Sequence, residues 1–395
     1  SEAPASSGPD VTLAGWRQRA DPPADAVIAE VYGGPDPQQT IRRVGDLLLR
    51  LQRNNDALPP GLPAQLRRFL VEARAPAEAA DPRRLRAAQR VFARHPNVML
   101  LLYLGASLPE CYVNTGIAAV LGQTQRLVTH TRRRLKETAA FVTAVMLPGG
   151  FRPRGAAVVT ALRVRLLHAA IRHLLRQPRL DAPPPAMAPP NMAAVWSWTR
   201  WPAGGADAPI NQEELACTLL TFGYVTLRSL RRLGLAVSDA EADSFLYGWN
   251  VVGQLMGVDD ALLPPDLPAA ARLFDAIQSA RMGGTKAGQE LTAALVDTVG
   301  DATGGLLRDA MIELIRELIG AEKAGLLGLA ATAGHARLHG LCAAETGAAG
   351  DPLTWLKWLV YRLLTAMPPQ RRRELFRLPE RLEGALPPSP TAAWR

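Results

Sequence analysis

The sequence predicts an all-α protein, a large helical bundle, and three observations support this fold class. Apolar residues recur at helical spacing along most of the 395 residues, as Ile41, Val44 and Leu48 do. The 33 prolines and 33 glycines fall mostly between these periodic segments, where they end helices. We find no segment that alternates apolar and polar residues as a half-buried strand would. A chain of this length is ample for one large buried core.

The first quarter of the chain predicts short helices that pack outside the main core. Residues 1–40 are polar and rich in Pro and Gly, and only a short helix near 24–31 fits them. Asp81-Pro82 is a helix start signal, because Asp caps a helix and Pro suits its first position. The other helices predicted here are 40–53, 64–74 and 82–94. We therefore interpret 1–94 as a polar segment with accessory helices.

A central helix is predicted by Val98–Leu108, which is apolar on all sides. We expect it to end at 105–112, so that Glu110 lies in the following loop. Asn211 and Asp239 are residue types that cap helices. The helices predicted after the central one are 115–122, 125–147, 155–176, 211–232, 239–258, 266–281, 286–298, 305–320, 322–345 and 352–366.

Prolines mark the linker and the C-terminal end. Six prolines in 178–190 predict an extended linker, since no helix persists through them. Pro368 and Pro369 close the helical region. We expect one helical domain over 95–380 and a Pro-rich tail over 381–395.

The charge balance and the cysteines argue against several classes of protein. The formal net charge of +9 would suit an anionic partner, but the basic excess is nearly all arginine, and the arginines are dispersed. We therefore expect no nucleic-acid binding. The three cysteines form neither a Cys-x-x-Cys pair for zinc nor a Cys-x-x-Cys-His motif for covalent haem. One disulfide among them is compatible with the sequence, which does not assign it.

No membrane span is predicted. The longest apolar run, Val98–Leu108, is too short to cross a bilayer. The chain begins at Ser1 with a polar segment in which we read no signal peptide. We expect a protein without a transmembrane segment.

Two helices separated by Pro148-Gly-Gly carry the candidate site residues. On the first helix Arg134, Glu137, Thr138 and Phe141 share one face, at i, i+3, i+4 and i+7. On the second, His168 is flanked by leucine and alanine. Such a histidine is either a core residue bonded to a backbone carbonyl or a ligand, and its surroundings leave both readings open. The arginines of its helix are either a solvated face or partners for the carboxylates of a cofactor.

These residues resemble the latex-clearing-protein family of secreted haem b rubber oxygenases. The resemblance rests on Arg134-x-x-x-Thr138 and on Leu-His-Ala-Ala-x-Arg-His around His168. It continues in Pro-Ile-Asn-Gln-Glu-Glu-Leu at 209–215 and in Trp249 with the residues after it. It implies a globin-like haem-binding core, one non-covalent haem b, His168 as the ligand to its iron, and Arg134 and Thr138 lining the haem site.

The same resemblance implies a reaction and a location. The family uses dioxygen to cleave the cis-1,4 double bonds of polyisoprene, which yields oligo-isoprenoids with aldehyde and ketone ends. The expected partners are polyisoprene and dioxygen, the expected location is extracellular, and we expect a monomer. Two alternatives stay open: a haem protein of this fold that oxidises another apolar substrate, and a non-enzymatic carrier of haem or lipid.

The chain departs from the family pattern on the distal side. Family members place a lysine directly before the matching threonine, where this chain has Glu137, and Lys136 points to the opposite helical face. The family's distal glutamate, proposed as a base for an allylic proton, has no counterpart between Glu110 and Arg134. The resemblance therefore leaves either Glu110 or Glu137 as the base, beside Arg134 and Thr138, and the helical face that Glu137 shares with Arg134 favours Glu137.

Two other motifs have a structural and a functional interpretation. His335 and His339 are four residues apart, a spacing compatible with a metal, but no glutamate follows the first as in zincins. Trp196, Trp198 and Trp201 would either fill the core or form an apolar rim.

Overall fold

The structure is a computed structural model that describes most of the chain. The described residues are 13–34, 36–127, 131–176, 207–300, 306–331, 334–348, 350–376, 378, 386, 387, 389 and 391. They form an all-α fold, which confirms the predicted class. Within these ranges the β-structure consists of one isolated antiparallel bridge between Asn114 and Met282. No described helix combines the length and the apolar character that crossing a membrane requires.

The helices are short in the first quarter and longer afterwards. The first six are α1 (Leu13–Arg17), α2 (Pro22–Tyr32), α3 (Pro37–Leu49), α4 (Ala64–Glu72), α5 (Ala75–Ala79) and α6 (Pro82–Arg94). The next five are α7 (Pro96–Leu102, the π-helical turn Tyr103–Ser107 and Leu108–Val113), α8 (Thr115–Leu127), α9 (Thr131–Met146), α10 (Ala157–Arg176) and α11 (Gln212–Leu220, the π-helical turn Thr221–Val225 and Thr226–Arg232).

The C-terminal half continues the bundle. Its helices are α12 (Asp239–Leu255), α13 (Leu267–Arg281), α14 (Lys286–Gly300), α15 (Leu306–Ile319), α16 (Ala321–Leu326), α17 (His335–Thr346), α18 (Pro352–Ala366) and α19 (Pro369–Phe376). Instead of one predicted helix over 322–345, α16 and α17 are separate. Gly328 lies between them with φ +77°, a conformation that ends a helix. The sequence interpretation missed α19, which begins at Pro369.

The central helix α7 does not end where the sequence predicted. It continues through Gly105 and Pro109 to Val113, so Glu110 lies in a helix and its predicted loop placement is wrong. Pro109 has no N–H, and in a regular α-helix its ring would crowd the carbonyl of Gly105. The π-helical turn just before it accommodates that defect. Gly105 serves packing instead, since a Cβ there would lie 3.1 Å from Leu314 Cδ2.

The caps of α11 and α12 follow the same motif. Asn211 Oδ1 accepts from the Glu214 N–H at 2.9 Å, and Glu214 Oε2 accepts from the Asn211 N–H at 3.3 Å, a complete capping box. The predicted cap of α11 is confirmed. Ser238, not Asp239, caps α12, because its hydroxyl accepts from the Glu241 N–H at 3.3 Å.

The N-terminal helices build a hydrophobic core together with α10 and α12. Leu66, Phe69 and Leu85 pack in one cluster with Leu162 of α10 and Leu255 of α12. Helix α2 packs on α10, and α6 packs on α12. The helix that carries His168 is therefore covered by the first quarter of the chain. Whether residue 94 is a domain boundary stays a prediction.

All three cysteines are free and buried. Cys111, Cys217 and Cys342 make no disulfide. Burial raises the pKa of Cys111 to about 11, so this thiol stays protonated near neutral pH.

Candidate active site

Helix α10, which carries His168, is held at its start by a distant side chain. Asn54 Oδ1 accepts from the N–H of Val158 at 3.0 Å and of Val159 at 3.4 Å. Its Nδ2 donates to the carbonyl oxygens of Gly150 and Arg152 at 2.8 and 2.7 Å. Asn54 thereby supplies partners to N–H groups that a helix start leaves unpaired and fixes the preceding turn.

His168 lies on α10 as a neutral imidazole. Burial, and second the nearby Arg172 guanidinium, lower the pKa of His168 to about 3. Its Nδ1 atom is buried and has no hydrogen-bond partner among the described residues. Nδ1 thus lacks the backbone carbonyl that a structural core histidine usually contacts. No described residue fixes the tautomer of the ring through this atom.

Two arginines of α10 already pair with carboxylates of the protein itself. Arg165 forms a bidentate pair with Asp21, at 2.7 and 2.8 Å. Arg172 is 1% exposed and donates to Asp25 Oδ1 at 2.7 Å and to the Ile210 carbonyl at 3.3 Å. These contacts tie α10 to the N-terminal helix α2 and to the segment before α11. We therefore correct the cofactor interpretation of these two arginines.

Thr138 of α9 is half-buried and faces a small apolar cavity. The cavity has a volume of about 20 Å³, room for roughly one water molecule. Its lining comes from α7, α9 and α19 and consists of Leu100, Tyr103, Leu104, Leu108, Leu135, Thr138, Ala139, Val142, Leu375 and Phe376. Among the described lining residues, Thr138 and Tyr103 are the two that carry polar side-chain groups. The backbone of Arg134 lies in α9, one turn before Thr138, and its side chain lies outside the described part of the structure.

Aromatic rings back the cavity on the side of Tyr103. The ring of Tyr103 lies 5.2 Å from that of Phe222, which stacks on Trp249 at 5.2 Å. Tyr103 Oη is buried, and no hydrogen bond of ordinary geometry reaches it from the described residues, although Trp249 and Thr226 are its polar neighbours. Burial raises the pKa of Tyr103 far above its ordinary value, so the phenol keeps its proton.

The surroundings of the two acidic candidates, Glu137 and Glu110, are not those that the sequence predicted. Glu137 is exposed on α9. Lys136 is not part of the described cavity lining and lies 3.8 Å from Glu374 of α19. A proton acceptor in an apolar pocket needs a buried carboxylate, and the exposure of Glu137 does not supply one. Its catalytic role stays a prediction.

Glu110 is fully buried but engaged by two cations. Its Oε1 accepts from Arg228 at 2.7 Å, and its Oε2 accepts from Lys323 at 2.7 Å. Gln278 Nε2 donates to Glu110 Oε2 at 3.0 Å and to its backbone carbonyl at 3.0 Å. The carboxylate joins α7 to α11, α13 and α16, which is a structural function. A catalytic role for Glu110 stays a prediction.

A buried charged cluster at the start of α11 was missed by sequence reasoning. Glu213 and Glu214 lie near Arg281, with Nε 3.7 Å from Glu213 Oε1 and Nη2 4.0 Å from Glu214 Oε1. Arg17 Nε lies 3.6 Å from Glu213 Oε2. Burial raises the pKa of Glu214 to about 7 and that of Glu213 in the same direction. The pattern Asn-Gln-Glu-Glu signals only a capped helix, because Arg17 and Arg281 are far away in sequence.

The two histidines of α17 contact Glu313 and Trp355. His335 Nδ1 lies 2.9 Å from Glu313 Oε2, and the ring of His339 stacks on Trp355 at 3.8 Å. Among the described residues no group of three or more His, Cys, Asp or Glu side chains could hold a metal ion. Trp196, Trp198 and Trp201 lie outside the described residues.

This fold and these residues belong to the class of oxygenase catalytic domains. The sequence model of the family described as "ER-bound oxygenase mpaB/B'/Rubber oxygenase, catalytic domain" matches residues 89–394. The chain belongs to this family, and its predicted resemblance to latex clearing proteins is confirmed.

Two individual proteins show the same relationship. The chain is 29% identical to the rubber oxygenase of Streptomyces sp. (strain K30) over 316 residues, which cover 80% of this chain and 71% of that protein. Its structure is similar to that of a latex clearing protein, LCP, solved in the closed state. That likeness has a TM-score of 0.68 at 24% identity and covers 96% of this chain and 94% of the other.

Proposed function

We propose that this protein is a haem-dependent oxygenase that cleaves the cis-1,4 double bonds of polyisoprene into oligo-isoprenoids with aldehyde and ketone ends. The observation that carries the proposal is His168, whose half-buried imidazole is neutral and whose buried Nδ1 atom has no partner among the described residues. Membership of an oxygenase family and the similarity to a rubber oxygenase support the reaction class.

The residues fit a haem b held without covalent bonds. Only a neutral imidazole offers a lone pair to iron, and burial keeps His168 neutral throughout the physiological pH range. Arg134 and Thr138 would line the haem site, as they do in the family pattern. Bound haem supplies the dioxygen chemistry that amino-acid side chains lack.

The chain's own residues bind and orient an apolar substrate. Leucines of α7 and α9 line the cavity beside Thr138, and a hydrocarbon leaves water favourably for such a surface. The walls exclude water from the reacting double bond. Glu137 and Glu110 remain the predicted acceptors of an allylic proton, the first exposed and the second ion-paired. Because the substrate is an extracellular polymer, we place the reaction outside the cell.

A purified sample tests the cofactor first. We expect a Soret absorption band, and we expect His168→Ala to abolish stoichiometric haem while its circular dichroism keeps the helical signal. His173→Ala is the matched control, since that ring packs 4.8 Å from Tyr32 and lies five residues further along the helix. Haem loss in the control together with haem retention in His168→Ala would show the assignment to be wrong.

Incubation with polyisoprene latex tests the reaction. Carbonyl-ended oligo-isoprenoids should accumulate with dioxygen and disappear in His168→Ala. A haem-loaded protein that leaves latex intact would favour oxidation of a different apolar substrate. The family description covers oxygenases besides the rubber oxygenases. A protein that binds haem or lipid and oxidises no unsaturated substrate would be a carrier.

A further inference from the structure

The C-terminal helix α19 closes the cavity beside Thr138 from one side. Leu375 and Phe376 belong to its lining and are 7% and 1% exposed. With these two side chains in the wall, the remaining space of about 20 Å³ is too small for an isoprene unit. A chain segment could enter only where one wall moves.

Helix α19 is held at its start, along α9 and at its surface. In the described structure its main packing partner is α9. Its start is fixed to the end of α18, because Arg372 Nη1 donates to the carbonyl oxygens of Leu364 and Met367 at 2.7 and 2.9 Å. On the outside, Lys136 of α9 pairs with Glu374 of α19 at 3.8 Å, and both side chains are partly exposed. The hydrogen bonds of Arg372, the buried Leu375 and Phe376 and the surface pair of Lys136 with Glu374 are thus among the contacts that hold it closed.

The space under α19 has the shape and chemistry of a hydrocarbon slot. Leu100, Leu104 and Leu108 lie at i, i+4 and i+8 of α7, so that face extends over about 12 Å. Leu135 and Val142 of α9 form the opposite face, and among the described residues no charged side chain lines the cavity. Tyr103 adds a buried hydroxyl without a partner of ordinary geometry, which suits the oxygen that a carbonyl product carries.

We propose that this slot holds a chain of isoprene units and that α19, with Leu375 and Phe376, is the lid that closes over it. The proposal rests on the proposed function, because it names the binding site of that substrate. The position of the cavity beside Thr138 makes the lid a determinant of access to the reacting centre.

Photolabelling locates the slot without any turnover. The haem-loaded protein is irradiated with squalene that carries a diazirine, digested and mapped by mass spectrometry. We expect the label on peptides that contain 100–108, 135–142 and 375–376. Label confined to other peptides would refute the proposal. A correct label pattern without latex cleavage would keep the slot and refute the oxygenase reaction instead.

Truncating the Phe376 side chain tests whether α19 acts as a lid. Phe376→Ala should raise the apparent affinity for squalene at least about tenfold, the lower end of the change expected when the closed state loses one buried phenylalanine. Phe245→Ala is the matched control, because Phe245 is equally buried in α12 and does not line the cavity. Equal affinities of the two variants would refute the lid.

A charge exchange tests the outer ion pair independently of core packing. Lys136→Glu should raise squalene labelling between about 1.5-fold and fivefold, the range expected for an exposed ion pair. The double variant Lys136→Glu with Glu374→Lys should return to the parent value. If the double variant instead labels more than either single variant, this ion pair does not hold α19 closed.

Discussion

At the scale of single residues, the partners of a carboxylate decide its function. Glu110 is buried with two cations and a glutamine at hydrogen-bond distance, so its charge is compensated inside the protein. Glu214 is also buried, but its nearest guanidinium lies 4.0 Å away and its Oε1 has no hydrogen-bond partner among the described residues. The charge of Glu214 is therefore less well compensated than that of Glu110.

Glu214 should make the protein less stable as the pH rises. Burial raises its pKa to about 7 from 4.5, so the folded state binds this proton more tightly than the unfolded chain. Its destabilising effect is absent below pH 4.5, grows between 4.5 and about 7, and then levels at about 3 kcal/mol. We expect Glu214→Gln to unfold at higher urea concentration than the parent at pH 8 and to match it near pH 4.5.

The control is Glu241→Gln, at the same capping-box position of α12. Hydrogen bonding from Arg94 lowers the pKa of Glu241, so this carboxylate stabilises the fold at neutral pH and loses its effect as the pH falls through its folded value. The two glutamine variants should change stability in opposite directions at pH 8. A Glu214→Gln variant with the pH profile of the parent would contradict the assigned titration.

Sequence patterns located residues whose function depends on local spacing. Thr138 lines the apolar cavity and His168 is a half-buried neutral imidazole, and both stand out by helical periodicity and by a family pattern. The partners of Glu110 could not be predicted, because Arg228 and Lys323 are 118 and 213 residues away. Residues so far apart in sequence meet only in the tertiary fold, so no local sequence rule predicts these contacts.

At the scale of elements, helix positions were predictable and helix interruptions were not. Periodicity and caps placed α6, α13 and α18 within about two residues, the usual uncertainty of helix ends. The π-helical turn of α7 escaped prediction because glycine and proline in sequence favour a helix end. Helix α19 was missed although Pro369 at its first position is a recognised start signal.

The cap that Asn54 provides to α10 leads to a prediction about haem. Asn54→Ala should destabilise the protein by about 1 kcal/mol and increase the rate of haem loss, because the first turn of the histidine helix loses its partner. Asp266→Ala is the control, since Asp266 caps α13 by accepting from the Ala269 N–H at 2.7 Å. Both variants should lower the melting temperature, and only Asn54→Ala should lose haem faster. Equal haem-loss rates would show that the cap does not support the site.

At the scale of the whole molecule, the N-terminal helices complete the catalytic unit. The family match begins at residue 89, yet α2 packs on α10 and the core of 24–85 is shared with α10 and α12. Asp21 and Asp25 also hold Arg165 and Arg172 of the histidine helix. The matched range alone therefore leaves apolar surface and buried arginines without their partners.

Deleting residues 1–88 should prevent stable folding. The deletion exposes Leu162, Leu166 and Leu255, and each fully buried leucine contributes about 1.5–3 kcal/mol. We expect an insoluble product, or a soluble one that binds a hydrophobic dye and unfolds without a cooperative transition. A soluble fragment with sharp thermal unfolding and full haem content would show that the first quarter is dispensable.

The long-range cap also fixes an order of events on the ribosome. Asn54 precedes Val158 by 104 residues, so at ordinary translation rates it emerges roughly 5 to 20 s earlier. The groups that receive the first turn of α10 are therefore synthesised well before that helix. The apolar core that the N-terminal helices share with α10 and α12 can close only after both of those helices have been made.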